Sequence, residues 1–294
     1  MVNAPNNASV STCVKSDKET SAGTVRRACV AFVLLSISAI LPACSTMPAS
    51  SDIDHAAAEL APSGKLRAAI NFGNPILAIK DPASGEPRGV SVDLARELGK
   101  RLGVPVELVT YTAAGKVVDG AKANEWDIAF VAIDPKRGAE MDQTGPYVVI
   151  EGAYMVRQDA PIKSNAEVDR PGTRIVVGTG SAYDLFLTRE IKTAQLVRAP
   201  TSPQVTDTMV KQGFEVAAGV KQQLEADAKR VPGLRLLDGR FMVINQAMAV
   251  PKGRPAGFAY LARFVEEMKT SGFVRAALER HKIEGAAVAP PAPR

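Results

Sequence analysis

The stretch VSVDLARELGKRLGVPVELVTY, residues 90–111, decides how the chain is read. Val92, Leu94, Leu98 and Leu102 recur at the spacing of one helical face, Gly103 supplies a stop signal, and VPVELVTY follows as a strand rich in β-branched residues. Helix, glycine, strand is one unit of an α/β protein. The same alternation extends on both sides. Before it lie the apolar strand LRAAINF and the turn Gly85-Glu86-Pro87-Arg88-Gly89; after it come the helix KVVDGAKANE and the buried strand WDIAFVAI. A second series starts near Pro161. RIVVGTGS reads as strand then turn, AYDLFLTREI as helix, AQLVRAP as strand, VTDTMVKQG as helix, FEVAAGV as strand and KQQLEADAKRV as helix. FMVINQAMAV is a long extended run, and the amphipathic AGFAYLARFVEEMKTSGFVRAALERH follows. Two such series joined by extended crossings predict two α/β lobes with mostly parallel sheets and a cleft between them.

Composition narrows the function classes. The chain has 294 residues, 46% hydrophobic and 23% charged, as a folded protein should. Of the formal net charge of +5, two units belong to residues 1–43, where four basic residues face Asp17 and Glu19. The remaining +3, with 5% aromatics and no basic run interleaved with rings, excludes a nucleic-acid partner. All three cysteines, Cys13, Cys29 and Cys44, precede the α/β region, and the two histidines, His55 and His281, stand apart. No metal site and no cofactor is expected.

The N-terminal region carries an export pattern. Arg26-Arg27 precedes CVAFVLLSISAIL, an apolar run too short for a membrane span of about 20 residues but suited to a signal peptide. Residues 1–43 are therefore expected to be removed, with translation starting near Val25. Leu41-Pro42-Ala43-Cys44 resembles a bacterial lipobox, with Pro42 as a departure, so Cys44 is the expected lipidation site and the protein a periplasmic, membrane-anchored lipoprotein. An ordinary cleavage site there is the alternative. Residues 44–63 read as a flexible tether and residues 285–294 as a disordered tail, both from their Ala, Ser and Pro content.

Several short segments taken in order carry a family resemblance: Lys65-Leu66-Arg67, Gly89-Val90-Ser91-Val92-Asp93-Leu94-Ala95, Lys100-Arg101-Leu102-Gly103, Trp126-Asp127-Ile128, Arg137, Gly145-Pro146-Tyr147 and MKTSGFVRAAL. From about Lys65 to Ile283 the chain resembles the bacterial extracellular solute-binding proteins of family 3, the periplasmic amino-acid-binding components of ABC transporters. The resemblance implies a periplasmic-binding-protein-like type II fold. Lobe one would hold residues 64–148 and 250–284 and lobe two residues 149–249, with crossings near Val148–Tyr154 and Arg240–Val250. It also implies a monomer that closes on a small solute and meets an ABC transporter permease.

The resemblance assigns contacts as well. Arg137 matches the arginine that pairs with the ligand carboxylate, a task suited to its planar donor fork; taken alone it would read as an exposed first-turn arginine. Gly178-Thr179-Gly180-Ser181, between strand and helix, would offer the amides of Gly180 and Ser181 to the same group, and Ser181 can equally serve as a helix cap. A dinucleotide fingerprint is excluded there because Tyr183 replaces the third glycine. Ala132 falls on the lobe-one contact loop, and Asn71 and Asn74 fall where first-strand contacts lie, though Asn74-Pro75 also reads as a plain turn. Members that bind α-amino acids place an aspartate after the strand matching FEVAAG; here Val220 stands there, followed by Lys221. A buried ammonium would lack its partner, and a lysine in the cleft would favour a second negative charge. The expectation is a carboxylate without the α-amine contact, such as a dicarboxylate, with Lys221 as a solvated helix-start residue the alternative. Tyr147 and Tyr183 are candidates for the cleft edge, and Trp126 reads as packing. Binding without chemistry is the leading reading; a periplasmic dehydratase on the same scaffold or a ligand-sensing adaptor are the rivals.

Overall fold

A computed structural model of the chain describes residues 50–292. The first series runs through α1 (Ser50–Leu60), β1 (Leu66–Asn71), a small hairpin of β2 (Ile79–Lys80) and β3 (Pro87–Arg88), α2 (Val90–Leu102), β4 (Val106–Tyr111), α3 (Ala114–Lys122), β5 (Ile128–Ala132) and the single turn α4 (Pro135–Gly138). The long strand β6 (Met141–Arg157) leads into the second series: β7 (Arg174–Gly178), α5 (Ala182–Glu190), β8 (Gln195–Ala199), α6 (Val205–Gln212), β9 (Val216–Val220), α7 (Lys221–Arg230) and β10 (Leu234–Leu236). β11 (Met242–Pro251) returns, and α8 (Pro255–Thr270), α9 (Phe273–Arg280) and β12 (Ala287–Val288) follow. The amphipathic stretch predicted as one run is two helices because Gly272, at φ 82°, turns the chain between them.

The fold is α/β with two lobes, each a parallel three-stranded sheet flanked by helices. β1 pairs in parallel with β4 and β5 in the first lobe, and β7 with β8 and β9 in the second. The crossing strands β6 and β11 run antiparallel to one another and join the two sets, giving the order β4-β1-β5-β11-β6-β9-β7-β8. Their register shifts at Gln246/Ala247 and between Ala247 and Ala249, where a bulge bends the ladder. On α2, Val92, Leu94, Leu98 and Leu102 are buried, so the periodic face is the core face. Gly103 ends the helix at φ 67° and donates its amide to Gly99 and Lys100.

Each lobe is fastened by the same electrostatic clip. Arg67, at the start of β1, sends its backbone N (3.1 Å) and Nε (3.0 Å) to Asp127 Oδ2 and Nη2 (2.9 Å) to Oδ1. Its Nη1 donates to the carbonyl of Asn124, which sits at φ 52° in the turn before β5. Arg174, at the start of β7, repeats this on Glu215, with N and Nε both 2.9 Å from Oε2, while Nη2 reaches the carbonyl of Gly213 at φ 68°. A bidentate arginine thus sets the stagger between two parallel strands in both lobes. Asp127 is fully buried and also accepts from Arg254 Nη1 at 3.0 Å, at the entry to α8.

Two sequence readings are corrected. Within residues 44–63, α1 is a packed helix: Ala56 and Leu60 are fully buried against α8, and Glu59 accepts from the Gly257 amide at 2.7 Å. Its alanines are good helix formers, and Ile53, Ala56, Ala57 and Leu60 share one apolar face. Within residues 285–294, β12 pairs with β6 at Val149 and Val148, Ala289 is buried, and the ammonium of Lys269, itself 2% exposed, donates to the carbonyls of Pro146 and Pro290. A buried lysine therefore holds this segment on the crossing strand. The export segment and Cys44 lie outside the described residues.

Urea unfolding should rank the clips. Asp127→Ala leaves two arginines facing an empty position and should cost about 3 kcal/mol or more, whereas Glu215→Ala, at a more exposed clip, should cost about 1 kcal/mol. Removing residues 285–294 should cost about 1–3 kcal/mol, read as a lowered Tm by calorimetry, because the Lys269 ammonium loses its Pro290 acceptor and β6 loses the β12 pairing.

Candidate functional site

The site grows from the end of β5. Asp134 caps α4 by accepting from Lys136 N at 2.9 Å, and Pro135 starts the turn with its fixed φ. This tight turn folds Arg137 back over its own strand, so that Nη1 donates to the carbonyl of Ala132 at 2.9 Å. Nη2 donates across the cleft to the carbonyl of Gly180 in the second lobe, also at 2.9 Å. Arg137 is 2% exposed, and its Nε is buried without any partner. Burial lowers the guanidinium to about 10, opposed by the nearby Asp134 carboxylate, so it stays protonated at neutral pH.

Asn71, Asn74, Ala132, Arg137, Ser181 and Val220 border one cavity between the lobes, together with Tyr183, Ser202, Ile244 and Gln246. About 30 Å³ of room lies inside it, space for a water or two. On the other side of Arg137 a larger space of about 210 Å³, bordered by Gly115, Lys122, Lys136, Glu140 and Gly180, forms the mouth of the cleft. The lobes also meet there through backbone. Gly180, at φ 68°, lies so close to Gly115 that a Cβ on it would stand 2.7 Å from the Gly115 Cα. At the rim, Arg189 of α5 pairs with Asp134 at 3.0 Å.

Two expectations about the contacts change. The Gly180 amide is not free; it donates to Asp184 Oδ2 at 2.8 Å, and the Ser181 amide donates to Gly178 O at 3.0 Å. Ser181 Oγ caps α5 by accepting from Asp184 N. What Gly180 turns toward Arg137 is its carbonyl, because positive φ at this residue reverses the peptide. The second correction concerns Lys221. It does not border the cavity, and its ammonium lies 3.3 Å from Glu151, which also holds Arg240 at 2.6 Å. Hydrogen bonding from Arg240 first, and then from Lys221, holds the Glu151 carboxyl below its ordinary range.

Of the two tyrosines, Tyr183 borders the cavity, and burial pushes its phenol up. Tyr147 is fully buried against Phe130 and does not. Trp126 is core, its indole donating to Val117 O at 2.8 Å. The sequence reading missed Gln246, Ser202 and Ile244. Gln246 was detectable as a lone amide inside the apolar run FMVINQAMAV; Ser202 and Ile244 arrive from distant segments and carry no local signal. Among the described residues no group of three His, Cys, Asp or Glu side chains is placed to hold a metal, and no helix is long and apolar enough to cross a membrane.

Comparison with known proteins agrees with this architecture. Among curated proteins none matches the chain. Among solved structures the fold is similar to a putative binding component of an ABC transporter from Wolinella succinogenes DSM 1740 complexed with lysine, at 24% identity over 74% of this chain and 95% of that one, with a TM-score of 0.64. It is similar to the solute receptor for L-cysteine of Neisseria gonorrhoeae, at 24% identity over 77% and 92%, with a TM-score of 0.67. An ancestral amino acid-binding protein, a precursor of cyclohexadienyl dehydratase, gives 22% identity over 76% and 97%, with a TM-score of 0.65. Residues 66–282 match the family model of bacterial extracellular solute-binding proteins, family 3, and the chain belongs to that family.

Proposed function

We propose that this protein is the exported binding component of an ABC importer, which captures a small carboxylate-bearing solute by closing its two lobes and presents it to the permease. In this reading residues 1–43 are removed on export, Cys44 is lipidated and anchors the protein to a membrane facing the periplasm, and the protein works as a monomer. The observation that carries the proposal is the buried guanidinium of Arg137, held by carbonyls from both lobes. A carbonyl dipole satisfies a cation's geometry without neutralising its charge. A solute carboxylate entering a parted cleft supplies that missing charge, and its contacts to both lobes favour closure over the open state.

The lining also supports binding over catalysis. A dehydratase on this scaffold needs a general acid or base at the cavity. Among the described residues no Asp, Glu, His or Lys borders it, and burial holds the phenol of Tyr183 protonated, which removes it as a general base.

Isothermal titration with carboxylate solutes should give saturable binding that Arg137→Lys weakens about 100-fold, because a point charge cannot reproduce the bidentate fork. Native purification followed by mass spectrometry should return a bound carboxylic acid unchanged; a bound molecule with no carboxyl group would overturn the proposal. Closure can be tested separately by small-angle scattering. Gly180→Ala introduces a Cβ 2.7 Å from Gly115 Cα and a strained φ, so it should stay extended with solute present and lose about 10-fold or more in affinity. Gly115→Ala, whose Cβ would stand 3.5 Å from Gly180 Cα, should close normally.

A further inference from the structure

We infer that the solute this site takes is a small monocarboxylate with no ammonium group, a 2-hydroxy or 2-oxo acid rather than an amino acid or a dicarboxylate. The inference rests on the carboxylate-binding reading above and narrows it.

Charge decides the class. Among the described residues Arg137 is the one charged side chain bordering the cavity. Asp119 and Glu140 border the space on the other side of Arg137 and not this cavity, and the carboxylates closer to the lining are engaged by partners of their own. Asp134 pairs with Arg189 and the Lys136 amide, Asp184 with Arg198 at 3.0 Å and the Gly180 amide, and Glu151 with Lys221 and Arg240. An ammonium entering here would find no counter-charge. It would also meet a positive field. Ala114, the first residue of α3, and Val220, immediately before α7, both border the cavity, and neither helix has a side-chain cap at its N-terminus. Two uncapped helix N-termini and a buried guanidinium add in the same sense. One carboxylate neutralises that field. Within this cavity a second would meet no second cation, because Lys122 and Lys136 border the space on the other side of Arg137 and Lys221 is turned to Glu151.

Two polar atoms of residues bordering the cavity are buried and unmet. Asn74 Oδ1 has no donor and Arg137 Nε has no acceptor, and the side-chain amide of Gln246 borders the same space. These suit a hydroxyl or carbonyl beside the carboxylate, since each can donate to or accept from an uncharged oxygen. Phe130, Val131 and Ile244 leave an apolar wall for a short aliphatic tail.

The test is a titration panel on the purified full chain with lactate, pyruvate, 2-hydroxyisovalerate and 2-oxoisovalerate against alanine, valine, malate, succinate and inorganic phosphate. The hydroxy or oxo acid should bind at least about 100-fold more tightly than the matching amino acid. Equal or tighter binding of alanine or valine, of a dicarboxylate, or of phosphate overturns the inference; the amino-acid and dicarboxylate outcomes leave the carboxylate reading standing. Absence of binding by every carboxylate, with Arg137→Lys indistinguishable from the parent chain, overturns both. A second variant tests the electrostatic basis. Val220→Asp places a carboxylate at the cavity edge in a position where aspartate also suits the start of α7. It should shift the preference toward alanine and valine by about 10-fold or more, and an unchanged preference overturns the charge argument.

Discussion

One buried cation organises the cleft. Arg137 is removed from water, keeps its charge, and is held by two carbonyls that belong to different lobes. Desolvating a guanidinium is expensive, and dipoles alone compensate it incompletely. The structure tolerates the cost because the same bond that satisfies Nη2 also joins the lobes. In the proposed binding cycle, separation of the lobes would break it, and a solute carboxylate would offer a stronger acceptor than the carbonyl it replaces. The interlobe contacts described here, this bond, the Gly115 and Gly180 approach and the Arg189–Asp134 pair, are polar or backbone in character.

Each lobe is braced internally. The repeated arginine clips, Arg67 on Asp127 and Arg174 on Glu215, lock strand stagger at the same place in each parallel sheet. The ladder is irregular where β6 and β11 pair between the two sets of parallel strands. The segments flanking the family match reinforce one side of this design: α1 packs on α8, and β12 lies along β6 at Val148 and Val149, where the chain crosses between lobes. The added strand pairs the C-terminal segment with β6, the element that joins the two sheets.

Much of the fold was legible because its signals are local. The helical face of residues 90–102, the glycine stop at Gly103 and the crossing run FMVINQAMAV each depend on spacing within one segment. The tether and tail were misread because low-complexity Ala, Ser and Pro composition says nothing about whether a partner surface exists. Ala56 and Leu60 bury themselves only because α8 presents a matching groove, and β12 orders only because β6 has an open edge and Lys269 reaches Pro290.

The site divides the same way. Sequence by itself determined the α/β alternation, the family, and the residue types brought to the cleft, including an arginine after Asp134-Pro135 and a valine where an acid would hold an ammonium. Tertiary structure decided what those groups face: the Gly180 carbonyl toward Arg137, Lys221 toward Glu151, and Gln246 and Asn74 into the cavity. The physical reason is range. Propensity and periodicity act over a few residues along the chain, whereas the partner of a buried charge or an unmet hydrogen bond is chosen by whichever distant segment the folded sheets bring within about 3 Å.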